Sequence, residues 1–419
     1  MKIAVLSDFH FGCGYNTELE EDSFDNTEEA MERALNSDKV DLIIIAGDIF
    51  DSQFPRTPVW SRAMRILVKP LLEESHGVAF VSCTKELKKI SARTLDHVPV
   101  VALHGNHEHR GRTANTLEAL ENAGLLLHLQ HDTIIFEKPN DGVRVAVHGM
   151  SWVPDRYAKR ELDEWNPKPL PDCVNVLVLH QSISPFLYSP LDVPSLTAEN
   201  LPKGFDIVID GHLHGAGREN LGGTPFLLPG STVITQFDKN EALTEKGFYE
   251  IEIENGKKIG ISFHPIENGR RFFFEDVQTS GGLRANIEKK LGELLAQDFK
   301  KKPLIKLKII GNENEYVEQD VKEIERIYGD RATLRFVKEL QSPEIAEKVE
   351  FLRNLREQKM SADEIGLNLM HKNLEELKFN SMFDSERVFG MLVDGEVDNA
   401  FNILTGEQKT LNMNIKNGD

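Results

Sequence analysis

The stretch Met1-Lys-Ile-Ala-Val-Leu-Ser-Asp-Phe-His10 joins an apolar run to two side chains of the kind that bind metals. The run from Ile3 to Leu6 predicts a buried strand, and the glycines that follow it predict a loop. On an extended backbone, Asp8 and His10 would leave the same face of the chain and could hold one cation. An Asp-x-His triplet also occurs often by chance. Its interpretation therefore depends on the ends of the later strands.

Four later apolar runs also end in a polar loop. The runs cover residues 41–46, 97–103, 174–179 and 205–209, and the loops after them are Gly47-Asp48, Gly105-Asn106-His107-Glu108, His180 and Gly211-His212-Leu213-His214. Helices are predicted at 27–37, 61–74 and 113–123, and further strands at 133–136, 143–148, 225–228, 233–236, 248–253 and 258–264. Residues 1–266 are therefore expected to form an α/β layered domain. Strands of one sheet should carry all five loops, because ligands collect at the carboxyl edge of such sheets.

Composition limits the class of protein. The 419 residues predict two or three domains, since a single core rarely grows that large. Three cysteines without a C-x-x-C spacing argue against a disulfide framework and a thiolate zinc site, and they suit a reducing cytoplasm. No apolar run reaches about 18 residues, so no membrane span is expected. A net charge of −19 opposes coating of nucleic acid by bulk charge, so contact with a polyanion would need metal ions or clustered basic residues.

The sequence pattern changes after residue 266. Strands at 272–277, 304–310 and 332–337 alternate with helices at 283–297 and 315–328, which predicts a small α+β domain over residues 267–340. Residues 341–419 are predicted to be largely helical, with a pair of short apolar helices at 382–404. Because so short a pair cannot bury its own apolar face, we expect it to pack against a partner chain. Packing against its own chain is the open alternative.

The strand-end ligands favour a site with two metal ions. Nitrogen and carboxylate donors without thiolate suit manganese, iron or zinc, and they are too many for one tetrahedral ion. Two ions in such a site stand about 3.5–4 Å apart and hold the attacking and leaving oxygens of a phosphoryl displacement. Asp48 is predicted to bridge the ions, because a carboxylate has two oxygens to share. The other expected ligands are Asp8, His10 and His214 for one ion and Asn106, His180 and His212 for the other.

Asn106 and His107 are interpreted as residues that favour phosphate chemistry. The neutral amide of Asn106 limits the negative charge of the site, so a phosphate anion can approach. His107 follows on a tight turn and is the predicted catalytic residue, which stabilises the transition state or protonates the leaving oxygen. A role as a further metal ligand, beyond these seven, is the alternative.

In order and spacing, these five loops resemble the five motifs of the calcineurin-like metallophosphoesterases. The resemblance covers about the first 240 residues and implies the layered fold and the dinuclear centre of that family. Within it, the chain is similar to the nuclease subunit of double-strand-break repair complexes, the Mre-eleven or SbcD type. This closer similarity lies in Gly47-Asp48-Ile49-Phe50-Asp51 followed by Pro55, in the small α+β domain and in the C-terminal helical pair.

The closer resemblance implies further properties. Residues 267–340 would cap the site and position DNA, the helices near 382–404 would bind the coiled-coil base of an SMC-like ABC ATPase, and the protein would be a homodimer. Asp51 stands where many members carry a histidine that orients DNA. Neither Asp51 nor the segment 76–96 is assigned a role from the sequence.

These features together predict a DNA nuclease with two divalent ions, manganese being preferred. It would hydrolyse phosphodiesters exonucleolytically, endonucleolytically or both, while processing double-strand breaks in the nucleoid. Two alternatives stay open. A phosphodiesterase for a small molecule would use the same metal site, and a scaffold that tethers DNA ends would need little catalysis.

Overall fold

The computed structural model describes residues 1–86, 88, 90–109, 115–189, 192–236, 239–254, 258–312, 317–341, 362–377, 383–393 and 396–405. The chain divides into two compact units. The first comprises Met1–Val277, Arg284–Lys308 and Asp320–Val337, and the second comprises Gln278–Leu283, Ile309–Gln319 and Lys338–Asp419. All the predicted ligands belong to the first unit.

The described residues form strands and helices with the following bounds. The strands are β1 (Lys2–Leu6), β2 (Leu42–Ile45), β3 (Ala79–Cys83), β4 (Val100–Ala102), β5 (Leu127–His128), β6 (His131–Lys138), β7 (Val143–Met150), β8 (Val174–Leu179), β9 (Ile183–Ser184), β10 (Leu196–Thr197), β11 (Ile207–Asp210), β12 (Gly217–Leu221), β13 (Thr224–Leu228), β14 (Gly247–Glu254), β15 (Lys258–Pro265), β16 (Phe272–Gln278), β17 (Leu304–Asn312) and β18 (Thr333–Gln341). The α-helices are α1 (Asp22–Glu32), α2 (Thr57–Leu67), α3 (Ala92–Leu95), α4 (Thr116–Asn122), α5 (Asp155–Trp165), α6 (Lys239–Leu243), α7 (Leu283–Leu294), α8 (Val317–Tyr328), α9 (Ala362–Glu376), α10 (Ser385–Val393) and α11 (Val397–Thr405). A π-helical turn, Arg33–Ser37, follows α1.

Two mixed sheets pack against each other in the first unit. One has the strand order β15-β14-β1-β2-β4-β5, and the other has the order β12-β13-β11-β8-β7-β6-β3. The central strands are buried on both faces, which explains why their sequences are continuous apolar runs. In β2, for example, Ile43 and Ile45 pack on the helical side, while Leu42 and Ile44 join Val147 of β7 in the core between the sheets.

The predicted α/β layered core, with sheets flanked by helices, is confirmed. The prediction that one sheet carries all five ligand loops is wrong. The loops after β1, β2 and β4 belong to the six-stranded sheet, and those after β8 and β11 belong to the seven-stranded sheet. These strands run parallel within each sheet, so their carboxyl ends share an edge, and the site forms where the two edges meet.

One segment differs from the local prediction, and another, for which the sequence predicted no role, contains a strand of the core. The described residues 233–236 form no strand, because the backbone N–H groups of Thr235 and Gln236 donate to the Glu241 carboxylate at 2.9 and 2.6 Å instead of to a neighbouring strand. Within the segment 76–96, β3 is the edge strand of the seven-stranded sheet and pairs antiparallel with β6. β3 therefore extends the seven-stranded sheet by one strand.

The small α+β pattern predicted after residue 266 is present. The strand order is β16-β17-β18, and α7 and α8 accompany this sheet. Within the first unit, ion pairs join this region to α1, since Arg270 Nε lies 2.6 Å from Asp22 Oδ2 and Lys301 Nζ lies 2.8 Å from Asp25 Oδ2. Two of the basic side chains in this region thus have acidic partners on the core.

The second unit contains α9, α10 and α11. Residues 342–361 and the Asp394-Gly395 link of the predicted helical pair lie outside the described residues. Val388 and Ala400 are buried. Exposed apolar side chains of the pair are Leu392, Val393, Val397, Phe401 and Leu404. None of the helices in the described ranges is long and apolar enough to cross a membrane.

Candidate active site

The backbone of the ligand loops is unusual. Four predicted ligands have positive φ, with values of 52° for Asp8, 46° for His10, 47° for Asp48 and 72° for His212. The prediction that Asp8 and His10 leave one face of an extended strand is therefore wrong, because the chain turns through left-handed conformations after Leu6. Such conformations cost about 1–3 kcal/mol each for residues other than glycine and cluster at functional sites.

Backbone hydrogen bonds between the first two loops stabilise these turns. Asp8 N donates to Gly47 O at 3.0 Å, and His10 N donates to Asp48 O at 3.1 Å. The loops after β1 and β2 therefore hold each other in place, and these hydrogen bonds fix the backbone from which the candidate ligand side chains project. This arrangement reduces the reorganisation that metal binding requires.

Glycines allow the loops to approach one another closely. A Cβ on Gly47 would lie 2.1 Å from His180 Nδ1, and a Cβ on Gly105 would lie 2.0 Å from Asp48 Oδ1. A Cβ on Gly211 would lie 2.6 Å from His180 Nδ1. The sequence pattern placed these three glycines beside ligands, and the structure gives the steric reason for each.

Three of the predicted ligands form one compact group. The Nε2 atoms of His10 and His214 are 3.1 Å apart, and Asp8 Oδ1 lies 3.9 Å from the first and 3.8 Å from the second. All three side chains are buried. They are the residues that the sequence analysis expects around one ion.

The other predicted ligands lie beside this group. Asp48 Oδ2 is 3.3 Å from His180 Nε2 and 3.9 Å from His10 Nε2, so this carboxylate borders both halves of the site. Asn106 Oδ1 and His212 Nδ1 are 3.2 Å apart, and the rings of His180 and His212 meet at a centroid distance of 5.5 Å. The structure thus brings all seven predicted ligands together.

The donor set fits divalent metal ions. Both carboxylate oxygens of Asp8 are buried and have no hydrogen-bond partner within the described residues. A buried, unpaired carboxylate is costly, whereas a bound cation would satisfy it. Ligand atoms of Asp8, Asp48 and His180 also lie within 4.8 Å of one another. Nitrogen and oxygen donors of this kind suit manganese, iron or zinc.

The charges of the site are strongly coupled. Burial lowers the pKa of His180, but the neighbouring Asp48 carboxylate outweighs this and raises it to about 10. Although burial by itself would raise the pKa of Asp48, the surrounding histidines hold it well below its usual range. Burial, together with the charge of His180, lowers the pKa of His212 to about 3.

His107 lies at the open side of the site. Its backbone N–H donates to Asp48 Oδ1 at 3.0 Å, and its ring Nδ1 donates to the Asp51 carbonyl oxygen at 3.0 Å. The side chain is 36% exposed, whereas those of His10 and Asp48 are 2% exposed. A ring nitrogen of His107 also lies within 4.8 Å of ligand atoms of His10 and Asp48, so the geometry fits both predicted roles.

Sequence reasoning missed two acidic residues that support the ligands. Asp51 Oδ1 accepts a hydrogen bond from His10 Nδ1 at 3.1 Å, which turns Nε2 of that ring toward Asp8. The fully buried Glu108 carboxylate accepts from Phe50 N at 2.6 Å and Gly105 N at 2.8 Å, and it thereby ties the second loop to the third. Burial and the charge of Asp48 raise the pKa of Glu108 to about 8. The positions of Asp51 and Glu108 next to ligand motifs were the only feature of the sequence that pointed to these roles.

A third support comes from a distant part of the chain. Thr235 Oγ1 lies 2.7 Å from His214 Nδ1, and the Glu241 carboxylate accepts from Thr235 N and from Lys246 Nζ at 2.9 Å each. Tyr188 donates to the carbonyl oxygen of His212. No motif in the sequence predicted these contacts, because they depend on how the chain returns to the site.

Comparison with known proteins agrees with this geometry. The calcineurin-like phosphoesterase family matches residues 1–216. The chain is 29% identical to the DNA double-strand break repair protein Mre11 of Methanopyrus kandleri over 294 residues, which cover 66% of this chain and 59% of that protein. It is 28% identical to the double-strand break repair protein mre-11 of Caenorhabditis elegans, with coverage of 64% and 41%. It is 26% identical to the DNA double-strand break repair protein Mre11 of Thermoplasma acidophilum, with coverage of 79% and 82%.

The matches differ in how much of each protein they cover. The chain spans 59% and 41% of the length of the first two relatives. The family match, by contrast, covers more than half of this chain and includes all seven predicted ligands. The chain therefore belongs to the calcineurin-like phosphoesterase family, as the spacing of its five ligand loops predicted.

Proposed function

We propose that this protein is a metal-dependent DNA nuclease that hydrolyses phosphodiester bonds during the processing of double-strand breaks. The observation that carries the proposal is the convergence of seven nitrogen and oxygen donors from two sheets around the unpaired Asp8 carboxylate. Family membership supports phosphoester chemistry. The names of the relatives support DNA as the substrate.

In this proposal Asp8, His10 and His214 hold one divalent ion, and Asn106, His180 and His212 hold the other. Asp48, whose carboxylate borders both groups, is the shared ligand. We propose manganese as the ion, one of the three that this donor set suits. When bound, the two ions supply an activated water and neutralise charge on the phosphate.

Protein side chains would position the phosphodiester for hydrolysis. His107 lies at the exposed side, where a phosphodiester can approach, and its ring is the proposed group that stabilises the transition state or protonates the leaving oxygen. Asp51 holds this ring through its carbonyl oxygen. Local positive charge from the ions would offset the net charge of −19 at the point of DNA contact.

Cleavage of a labelled linear duplex in the presence of manganese tests the proposal. We expect wild-type protein to cut the duplex and His107→Ser to cut it about 10²-fold more slowly with its metal content unchanged, because only the acid or phosphate contact is lost. His109→Ser is the matched control, since His109 lies in the same loop but packs against Trp152. Failure of the wild type with every divalent metal would refute the nuclease proposal.

Two outcomes of this experiment favour other functions. Faster turnover of bis-p-nitrophenyl phosphate with no cleavage of DNA would indicate a phosphodiesterase for small molecules. DNA binding without turnover of either substrate would indicate a tethering scaffold. A loss of metal from His107→Ser would make His107 an additional metal ligand.

Asp51 provides a second test of the proposed ligand set. In Asp51→Asn the side chain can still accept from His10 Nδ1 but loses its charge, so we expect the affinity for manganese to fall about 10-fold, as for other residues that support metal ligands. Calorimetric titration with manganese measures this change. Asp155→Asn, at the exposed start of α5, is the control. Equal affinities in wild type and Asp51→Asn would show that this carboxylate does not act on the metal.

We further propose three regions with distinct roles, namely a nuclease domain at 1–266, a DNA-positioning cap at 267–340 and a partner-binding region at 341–419. The partner is an SMC-like ABC ATPase, the protein acts as a homodimer, and it works in the cytoplasm on nucleoid DNA. Exposed apolar side chains on α10 and α11 support a docking role for these helices.

Deleting residues 382–404 tests the docking role. Since the deletion removes the exposed apolar surface but no proposed ligand, we expect binding to the ATPase to be lost and cleavage of short duplexes to be kept. Co-purification with the ATPase and a cleavage assay measure the two properties. Loss of both properties would mean that these helices stabilise the nuclease itself.

A further inference from the structure

A second group of metal-type side chains converges away from the proposed ligands. Ligand atoms of Asp38, Glu250 and His264 lie within 4.8 Å of one another. Asp38 follows the π-helical turn after α1, while Glu250 lies on β14 and His264 on β15. In the ladder between these strands Glu250 is opposite Ser262, so His264, two residues further on, projects from the same face. Three separate segments thus direct donors to one point.

The imidazole of His264 is fixed on both sides. Its Nε2 lies 3.2 Å from Ser262 Oγ, and its ring stacks on Phe248 at a centroid distance of 5.0 Å. Its other nitrogen, Nδ1, lies 3.2 Å from Asp38 Oδ2. When Nε2 donates to Ser262, Nδ1 presents a lone pair to a carboxylate oxygen. Two acceptors at this distance need a cation or a proton between them.

Glu250 contributes a buried oxygen that lacks a partner. Its side chain is 9% exposed, and Oε2 has no hydrogen-bond partner within the described residues. The other oxygen, Oε1, lies 3.5 Å from Lys2 Nζ, whose side chain is 37% exposed and can turn toward solvent. Burial of an unpaired carboxylate oxygen is unfavourable. A cation shared with Asp38 and His264 would remove this cost.

We propose that Asp38, Glu250 and His264 form a further metal site, separate from the proposed nuclease centre and suited to Zn²⁺. One imidazole nitrogen and two carboxylates are donors that zinc accepts, and their two negative charges balance a divalent ion. Three protein ligands leave one position for water. The ion would tie the segment after the π-helical turn to the antiparallel edge of the six-stranded sheet.

Zinc content per chain tests this site. Protein is loaded with Zn²⁺, dialysed and analysed by native mass spectrometry. His264→Gln is expected to hold one ion fewer than the wild type and to cut DNA at the wild-type rate. His97→Gln, which alters a histidine whose Nδ1 lies 2.9 Å from the Glu73 carbonyl oxygen, should keep the wild-type content. If the two-ion nuclease proposal is wrong, the total number of zinc ions per chain will differ from that proposal. The difference of one ion between the wild type and His264→Gln should still be observed.

A second variant and a second measurement distinguish loss of the metal site from misfolding. Asp38→Asn keeps the shape of the side chain and should also lose one ion. In both variants, the rise in the midpoint of thermal unfolding on addition of Zn²⁺ should be smaller than in the wild type. Wild-type zinc content in Asp38→Asn and in His264→Gln would overturn the proposal and would mean that a proton joins Asp38 to His264.

Discussion

Asp48→Asn is expected to lower DNA cleavage on the order of 10³-fold or more and to release at least one metal ion, because it removes the ligand proposed to serve both ions. Asp48 Oδ2 lies 3.3 Å from His180 Nε2 and 3.9 Å from His10 Nε2, and Oδ1 accepts from His107 N. An asparagine keeps one oxygen but places an NH₂ group where the second oxygen stood. That group cannot bind a cation.

The measurement combines metal content per chain with cleavage of a labelled duplex at saturating manganese. Asp155→Asn makes the same chemical change on the surface and should alter neither quantity. If Asp48→Asn keeps two ions and wild-type cleavage, Asp48 is not a shared ligand. A loss of activity with two ions retained would instead assign Asp48 to positioning His107.

Gly105→Ala is expected to lower cleavage by more than about 10²-fold without removing any ligand atom, since small displacements at a reacting centre have effects of this size. The added Cβ would lie 2.0 Å from Asp48 Oδ1 and 2.7 Å from the Asp48 backbone nitrogen. Rotation of the carboxylate relieves only the first clash, so the loop after β2 must move. Overpacking of this kind also destabilises the fold by about 1–3 kcal/mol.

Gly215→Ala is the matched control for this variant. Gly215 follows His214 directly, but among the described residues a Cβ there meets only Thr244 Cγ2, at 3.6 Å, which is an ordinary contact. Cleavage rate, metal content and the midpoint of denaturant unfolding should therefore be close to wild type in Gly215→Ala. Equal behaviour of the two variants would mean that the approach of Gly105 to Asp48 is unimportant for the site.

The convergence of the seven predicted side chains could be predicted because its signal is local. Each apolar run is followed within a few positions by carboxylate, amide or imidazole side chains, and parallel strands bring such loops to one edge. The prediction of a single sheet was wrong because a strand buried on both faces has the same apolar sequence pattern whichever of the two sheets it belongs to. Likewise, periodicity alone could not distinguish residues 233–236 from a strand, since the carboxylate that binds their N–H groups comes from Glu241.

By itself, the sequence determined the layered α/β class, the five ligand loops and the seven side chains that meet there. These properties depend on short-range patterns of apolar and polar residues, which survive without knowledge of the fold. Only the tertiary structure decided that Asp8 and His10 turn through left-handed conformations, that Asp51 and Glu108 support the ligands, and that Asp38, Glu250 and His264 meet elsewhere. Such contacts join residues far apart in the chain, and their geometry arises when the sheets pack.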